Sequence, residues 1–62
     1  MPRYAELKRR LRKAGCRKVK EGANHEHWFS PITNQYFRVP RHDSQEVKPA
    51  TLESILKAAG LK

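Results

Sequence analysis

The chain has few of the groups that would staple it, carry it across a membrane or balance its positive charge. One cysteine among 62 residues leaves no partner for an internal disulfide. The fold must therefore stand on packing, and a reducing, cytoplasmic setting suits it. Cys16 itself reads as a small, semi-buried hydrophobe. No apolar run approaches the roughly 20 residues needed to span a bilayer, and the charged N-terminus lacks the apolar stretch of a secretion signal. The expectation is a soluble protein of the cytoplasm with no membrane association. Repeats, linkers and low-complexity segments are absent as well, so residues 1–62 are expected to form a single domain. Such a chain lies near the lower limit for folding without staples. Its core can be only thin, one layer of helices on one small sheet.

Acid is scarce: 6 Asp/Glu stand against 14 Lys/Arg. The imbalance is also local. Arg3, Lys8, Arg9, Arg10, Arg12, Lys13, Arg17, Lys18 and Lys20 face only Glu6 within residues 1–20, whereas residues 21–62 are neutral, with 5 residues of each sign. All of the net charge of +8 thus lies on the first helix and first strand. Such asymmetry points to a polyanion, either a nucleic acid or an acidic protein. The alternative is a solvated helix face that keeps a small protein soluble.

Periodicity supplies the elements. Tyr4, Leu7, Leu11 and Ala14 form an apolar stripe, which predicts an amphipathic helix over 3–14 with Lys8, Arg9, Arg12 and Lys13 on its exposed side. Gly15 is placed to end it. Residues 17–21 read as a weak, charged strand around Val19, and Gly22-Ala23-Asn24 as a turn. Residues 25–30 alternate, with His25, His27 and Phe29 on one face and Glu26, Trp28 and Ser30 on the other. Residues 31–34 make a hairpin turn in which Asn34 can take positive φ. Residues 35–39 form a third strand that Pro40 stops. A loop over 41–47 leads to a helix over about 49–59, with Pro49 in its first turn and Leu52, Ile55, Leu56 and Ala59 as its buried stripe. Gly60-Leu61 fits a Schellman ending.

The fold class is α+β, in the order α-β-β-β-α: a three-stranded antiparallel sheet with two helices on one face. Such a sheet hides one face and can leave the other wet. Trp28, Phe37 and Val39 belong to the covered face. His25, His27, Phe29, Tyr36 and Arg38 then share the open one, a set suited to stacking on bases and contacting phosphates.

His25 carries the chemistry that binding alone does not need. It follows a glycine turn and opens a strand, where a substrate can reach it. Cleaving RNA requires a base for the 2′-hydroxyl proton, an acid for the leaving oxygen and cations for the phosphorane charge. Histidine side chains serve either proton-transfer role, and Lys or Arg supply the charge. From residue types alone, however, a lone histidine on a strand is more often structural or simply exposed. His25-Glu26-His27 is also an H-x-H half-site for zinc. His42 could complete it only if the fold brings it near, and Cys16 lies at the far end of strand one, so the reading is no metal and no cofactor. Glu26 points away from both histidines and is a poor second catalytic group.

The block from Gly22 to Pro31, with its glycine-polar-histidine strand, resembles the HicA toxins, small mRNA interferases of HicA–HicB toxin–antitoxin modules. Val39-Pro40-Arg41-His42 resembles that family's segment after strand three. Lys48-Pro49-Ala50-Thr51-Leu52, with Ser54-Ile55-Leu56-Lys57 and Ala59-Gly60-Leu61, resembles its last helix. The likeness runs from Tyr4 to Leu61. It departs in Ala23-Asn24, where the family often has Gly-Ser, and in Ala50, where it often has Gly. The resemblance implies a fold like a double-stranded-RNA-binding domain, His25 as the catalytic histidine, mRNA as substrate and an acidic HicB-like antitoxin as partner.

The sequence reading is therefore an endoribonuclease toxin that cuts mRNA, independent of metal. Lys20, Arg38 and Arg41 are candidates for phosphate contacts, Phe29 and Tyr36 for stacking, and Asn24 and His27 for further RNA contacts. A non-catalytic RNA-binding module and a basic protein that docks an acidic partner are the rivals.

Overall fold

The computed structural model describes residues 2–62. Its elements run α1 (Tyr4–Lys13), β1 (Arg17–Glu21), β2 (His25–Ser30), β3 (Gln35–Pro40) and α2 (Pro49–Ala59). The sheet is antiparallel throughout, in the order β1-β2-β3. Trp28, Phe37 and Val39 are buried on its covered face together with Tyr4, Leu7 and Leu11 of α1 and Ile55, Leu56 and Ala59 of α2. Both helices therefore lie on one side, as the alternation of β2 and β3 requires. Pro40 is the last residue of β3 and pairs with His25, so the strand stops after the proline rather than before it. Among the described residues no helix is long and apolar enough to cross a membrane.

Both helices end in the same way. Gly15 (φ +97°) and Gly60 (φ +81°) take left-handed conformations. Beyond α1, Gly15 N–H donates to Arg12 O and Cys16 N–H to Leu11 O; beyond α2, Gly60 N–H donates to Lys57 O and Leu61 N–H to Leu56 O. These are paired Schellman bonds, and they satisfy carbonyls that the helices leave free. Ser30 Oγ and Thr33 Oγ1 donate to Ala59 O and Ala58 O, each at 2.6 Å, fixing the end of α2 to the β2–β3 hairpin.

The segment 41–47 is better anchored than a plain loop. No side chain caps the start of α1. Instead Tyr4 N–H donates to Gln45 O and Ala5 N–H to Asp43 O, while Val47 N–H donates to Pro2 O. Backbone carbonyls thus serve donors that a serine or aspartate would otherwise accept from. Val47 is fully buried, a core residue that no periodic pattern marked.

The expectation that Lys8 lies on the exposed basic side of α1 is corrected. Lys8 is 4% exposed. Its ammonium lies 3.2 Å from Glu26 Oε2 and also pairs with Asp43 Oδ1. Glu26 in turn accepts from Trp28 Nε1 at 3.1 Å. The cause is a buried carboxylate delivered by β2: an unpaired charge there would be costly, and a helix cation answers it. Arg12 stays exposed, its guanidinium 5.3 Å from the Trp28 ring centroid.

Candidate functional site

The site begins at a tight turn. Gly22 N–H donates to His25 O at 2.7 Å, and a Cβ on Gly22 would come within 3.1 Å of that same carbonyl. A side chain there would press directly on the backbone that presents His25. Arg41 grips the turn from across the sheet: its guanidinium donates to Gly22 O at 3.1 Å and its backbone N–H to Asn24 O at 3.3 Å. Arg41 therefore orients the turn, a duty the sequence did not suggest beside the expected phosphate contact. Asn24 is exposed in the turn, and His25 is exposed at the start of β2.

Register places the rest. His27 pairs with Arg38 on one side and with Lys20 on the other. Phe29 pairs with Tyr36 and with Arg17. The two rings lie 4.9 Å apart at 54°, and the Arg17 guanidinium sits 6.0 Å from the Phe29 centroid. Directly paired residues share a face, so Arg17, Lys20, His27, Phe29, Tyr36 and Arg38 form one surface on the side away from the helices. His25 belongs to the same side by alternation. The register sends Glu21 and Glu26 to the other side, which leaves this surface of the sheet without a carboxylate. Glu21, at the rim, is held below the usual carboxylate range by its hydrogen bond to Lys18, then by the charges of Lys18 and Arg41.

A β-bulge decides the β1 contribution. The pairing runs Lys18 with Trp28 and then Lys20 with His27, so Val19 is the extra residue. Regular pairing would have set Val19 opposite His27 and turned Lys20 to the other face. Arg17 was missed as a site residue because its role depends on which β2 residue it meets.

A cleft of about 550 Å³ opens beside the exposed sheet surface. His25, Arg38 and Pro40 form its sheet side, and Ala50, Thr51 and Ser54 of α2 face them, with Ile55 behind. His25 and Arg38 thus both line one open cleft. The α2 wall was not foreseen, because the polar side of an amphipathic helix carries the same pattern whether it meets water or a ligand. The remaining candidates, Lys20, Asn24, His27, Phe29, Tyr36 and Arg41, lie outside the lining. His42 sits exposed in the segment after β3. Among the described residues no group of three or more His, Cys, Asp or Glu side chains is placed to hold a metal ion.

A small basic sheet domain with an exposed histidine lining a cleft defines a candidate functional site. Comparison with known families then gives the lineage: the family model described as the HicA toxin of bacterial toxin–antitoxin systems matches residues 4–61. The chain belongs to the HicA toxin family. It is accordingly the toxin of a toxin–antitoxin pair, and the family implies an antitoxin as its partner. Neither a curated protein nor a solved structure matches the chain.

Proposed function

We propose that this toxin is a ribosome-independent endoribonuclease that cuts mRNA in the cytoplasm without a metal ion, with His25 as its proton-transfer residue. The observation that carries the reading is that exposed His25 and Arg38 both line one open cleft, beside a sheet surface bearing cations and aromatic rings but no acid.

The chemistry follows from the substrate. The 2′-oxygen attacks the adjacent phosphorus as its proton leaves, the bond from phosphorus to the 5′-oxygen breaks, and that oxygen takes up a proton. His25 removes the first proton or delivers the second. Arg38 stabilises the charge that gathers on the phosphorane oxygens, and Lys20 holds the flanking backbone. Phe29 and Tyr36 offer ring faces to bases beyond the cut, which suits an unpaired strand. The products are a 2′,3′-cyclic phosphate, or the 3′-phosphate made from it, and a 5′-hydroxyl. An acidic HicB-like antitoxin neutralises the activity, drawn by the charge of the toxin.

Induced expression of the wild type beside His25→Ala tests the reading. Wild type should arrest growth and fragment mRNA, in excess EDTA as well as without it when the purified protein is assayed. His25→Ala should fold and do neither. Undiminished cleavage by folded His25→Ala removes His25 from the mechanism, and chelator-sensitive cleavage leaving 5′-phosphates replaces it with metal chemistry.

A further inference from the structure

We propose that the cleft between β3 and α2 is a pocket for one nucleotide flanking the cut, and that Thr51 and Ser54 are its specificity-determining residues. The proposal rests on the ribonuclease reading above and goes beyond it by assigning a sequence-reading function to α2, far along the chain from His25.

The dimensions suit a single nucleotide. At about 550 Å³ the cleft lies within the roughly 300–1,000 Å³ of small-ligand pockets. Its polar groups suit one as well. Arg38 supplies a cation, His25 a ring that accepts or donates, and Thr51 and Ser54 two hydroxyls, while none of the lining residues is acidic. Pro40 and Ile55 add apolar surface against which a base can lie.

Thr51 and Ser54 are three residues apart on α2. Side chains at that spacing lie about 5–6 Å apart on one helix face, so two hydroxyls stand one helical turn apart along the wall. Each can both donate and accept. Among the described residues neither engages another group of the protein in a hydrogen bond, unlike Ser30 and Thr33, whose hydroxyls are committed to the end of α2. Phe29 and Tyr36 present only ring faces, which every base can use. Hydroxyls meet base edges, which differ from base to base. The sheet surface thus holds any strand, and the cleft discriminates.

The test uses the intact chain and the variants Thr51→Val, Ser54→Ala and the pair together. Thr51→Val keeps side-chain shape, Ser54 is exposed, and neither residue belongs to the hydrophobic core, so folding is retained. With a randomised RNA pool, wild type should show a base preference at one position beside the cut, and the double variant should lower it by roughly tenfold, the worth of one or two hydrogen bonds. Fragmentation should persist, in contrast to His25→Ala. A second measurement needs no cleavage. Adenosine, guanosine, cytidine and uridine 3′-monophosphates are titrated while backbone amide resonances are followed. The amides of Arg38, Thr51 and Ser54 should move, with affinities that differ among the four bases and converge in the double variant. An unchanged preference in the double variant, or shifts confined to Phe29 and Tyr36, overturns the subsite. If wild type binds mononucleotides at α2 but cuts no RNA, the ribonuclease reading fails and the pocket stands.

Discussion

The ammonium of Lys8 lies 3.2 Å from Glu26 Oε2 beneath the sheet, and Glu26 is the residue between His25 and His27. The two histidines face outward because the side chain between them is tied inward to Lys8 and to Trp28 Nε1. Lys8→Ala should cost about 3 kcal/mol or more, since it strands a buried carboxylate. That is much of the roughly 3–9 kcal/mol expected for a chain of this size. The pair Lys8→Met with Glu26→Gln should recover most of the loss, because the amide oxygen still accepts from Trp28. Urea unfolding followed by Trp28 fluorescence decides it; a double variant no more stable than Lys8→Ala refutes the account.

The same network predicts an acid limb. The hydrogen bond from Lys8 holds the Asp43 carboxyl below its ordinary value of 3.8, and burial opposes this only in part. A depressed folded-state pKa means stability that is fully present above 3.8 and is lost as pH falls through the lower, native value. Asp43→Asn should lower stability at neutral pH and flatten its decline at acid pH. Urea midpoints measured across that range provide the check. Parallel wild-type and variant curves would show that Asp43 takes no part.

Tyr36 is 71% exposed, so its loss should be felt in binding and hardly at all in folding. Tyr36→Ala should weaken the binding of single-stranded RNA by roughly tenfold, with a melting temperature lowered only slightly by loss of the ring contact to Phe29. Half-buried Phe29 should cost both. Fluorescence anisotropy with a labelled oligonucleotide, run beside thermal unfolding, separates the two. Equal binding by Tyr36→Ala removes the stacking platform.

The outer side of α1 is the next test. Reversing Arg9, Arg10 and Lys13 to Glu leaves the Lys8 network intact, and the fold should persist. These residues project from α1, none of whose residues lines the cleft that holds His25. RNA cleavage should therefore survive, while association with an acidic antitoxin slows by tenfold or more and loses salt dependence. Stopped-flow association at several salt concentrations reads this directly. Unchanged association rates would reduce the basic side to a solubility device.

The two helix-ending glycines should differ in tolerance. A Cβ at Gly60 would fall 2.6 Å from Ile32 Cγ2 and 2.9 Å from Thr33 Cγ2, whereas one at Gly15 meets only Pro31 Cγ at 3.4 Å. Both pay the left-handed penalty of about 1 kcal/mol, and Gly60 adds a clash. Gly60→Ala should be the more destabilising in thermal unfolding. Equal losses would mean that the hairpin yields freely.

Much of the architecture was legible, for identifiable reasons. The strand His25–Ser30 and the helix Pro49–Ala59 have the bounds that alternation, Pro49 and Gly60 suggested. The open face was legible for the same reason, since parity alone separates His25, His27 and Phe29 from Trp28. What failed depended on partners distant in sequence. Lys8 lies on the apolar stripe of α1 itself, four residues after Tyr4 and three before Leu11; its charge suggested an outward position, and Glu26, arriving from β2, pairs with it inside. Val47 has no periodic neighbours, and its burial follows from the seating of residues 43–47 on the start of α1. Thr51 and Ser54 gained meaning only when Arg38 was set across from them.

Val19 has a consequence for the company this protein keeps. It is the extra residue where β1 departs from regular pairing, in an edge strand whose five residues are all exposed and four of them charged. An edge that is bent and charged in this way resists zipping onto a strand of another molecule. Copies brought close together are thus kept from polymerising through that edge. A strand that extends this sheet must therefore add at β3, the other edge, and what meets β1 must read its side chains.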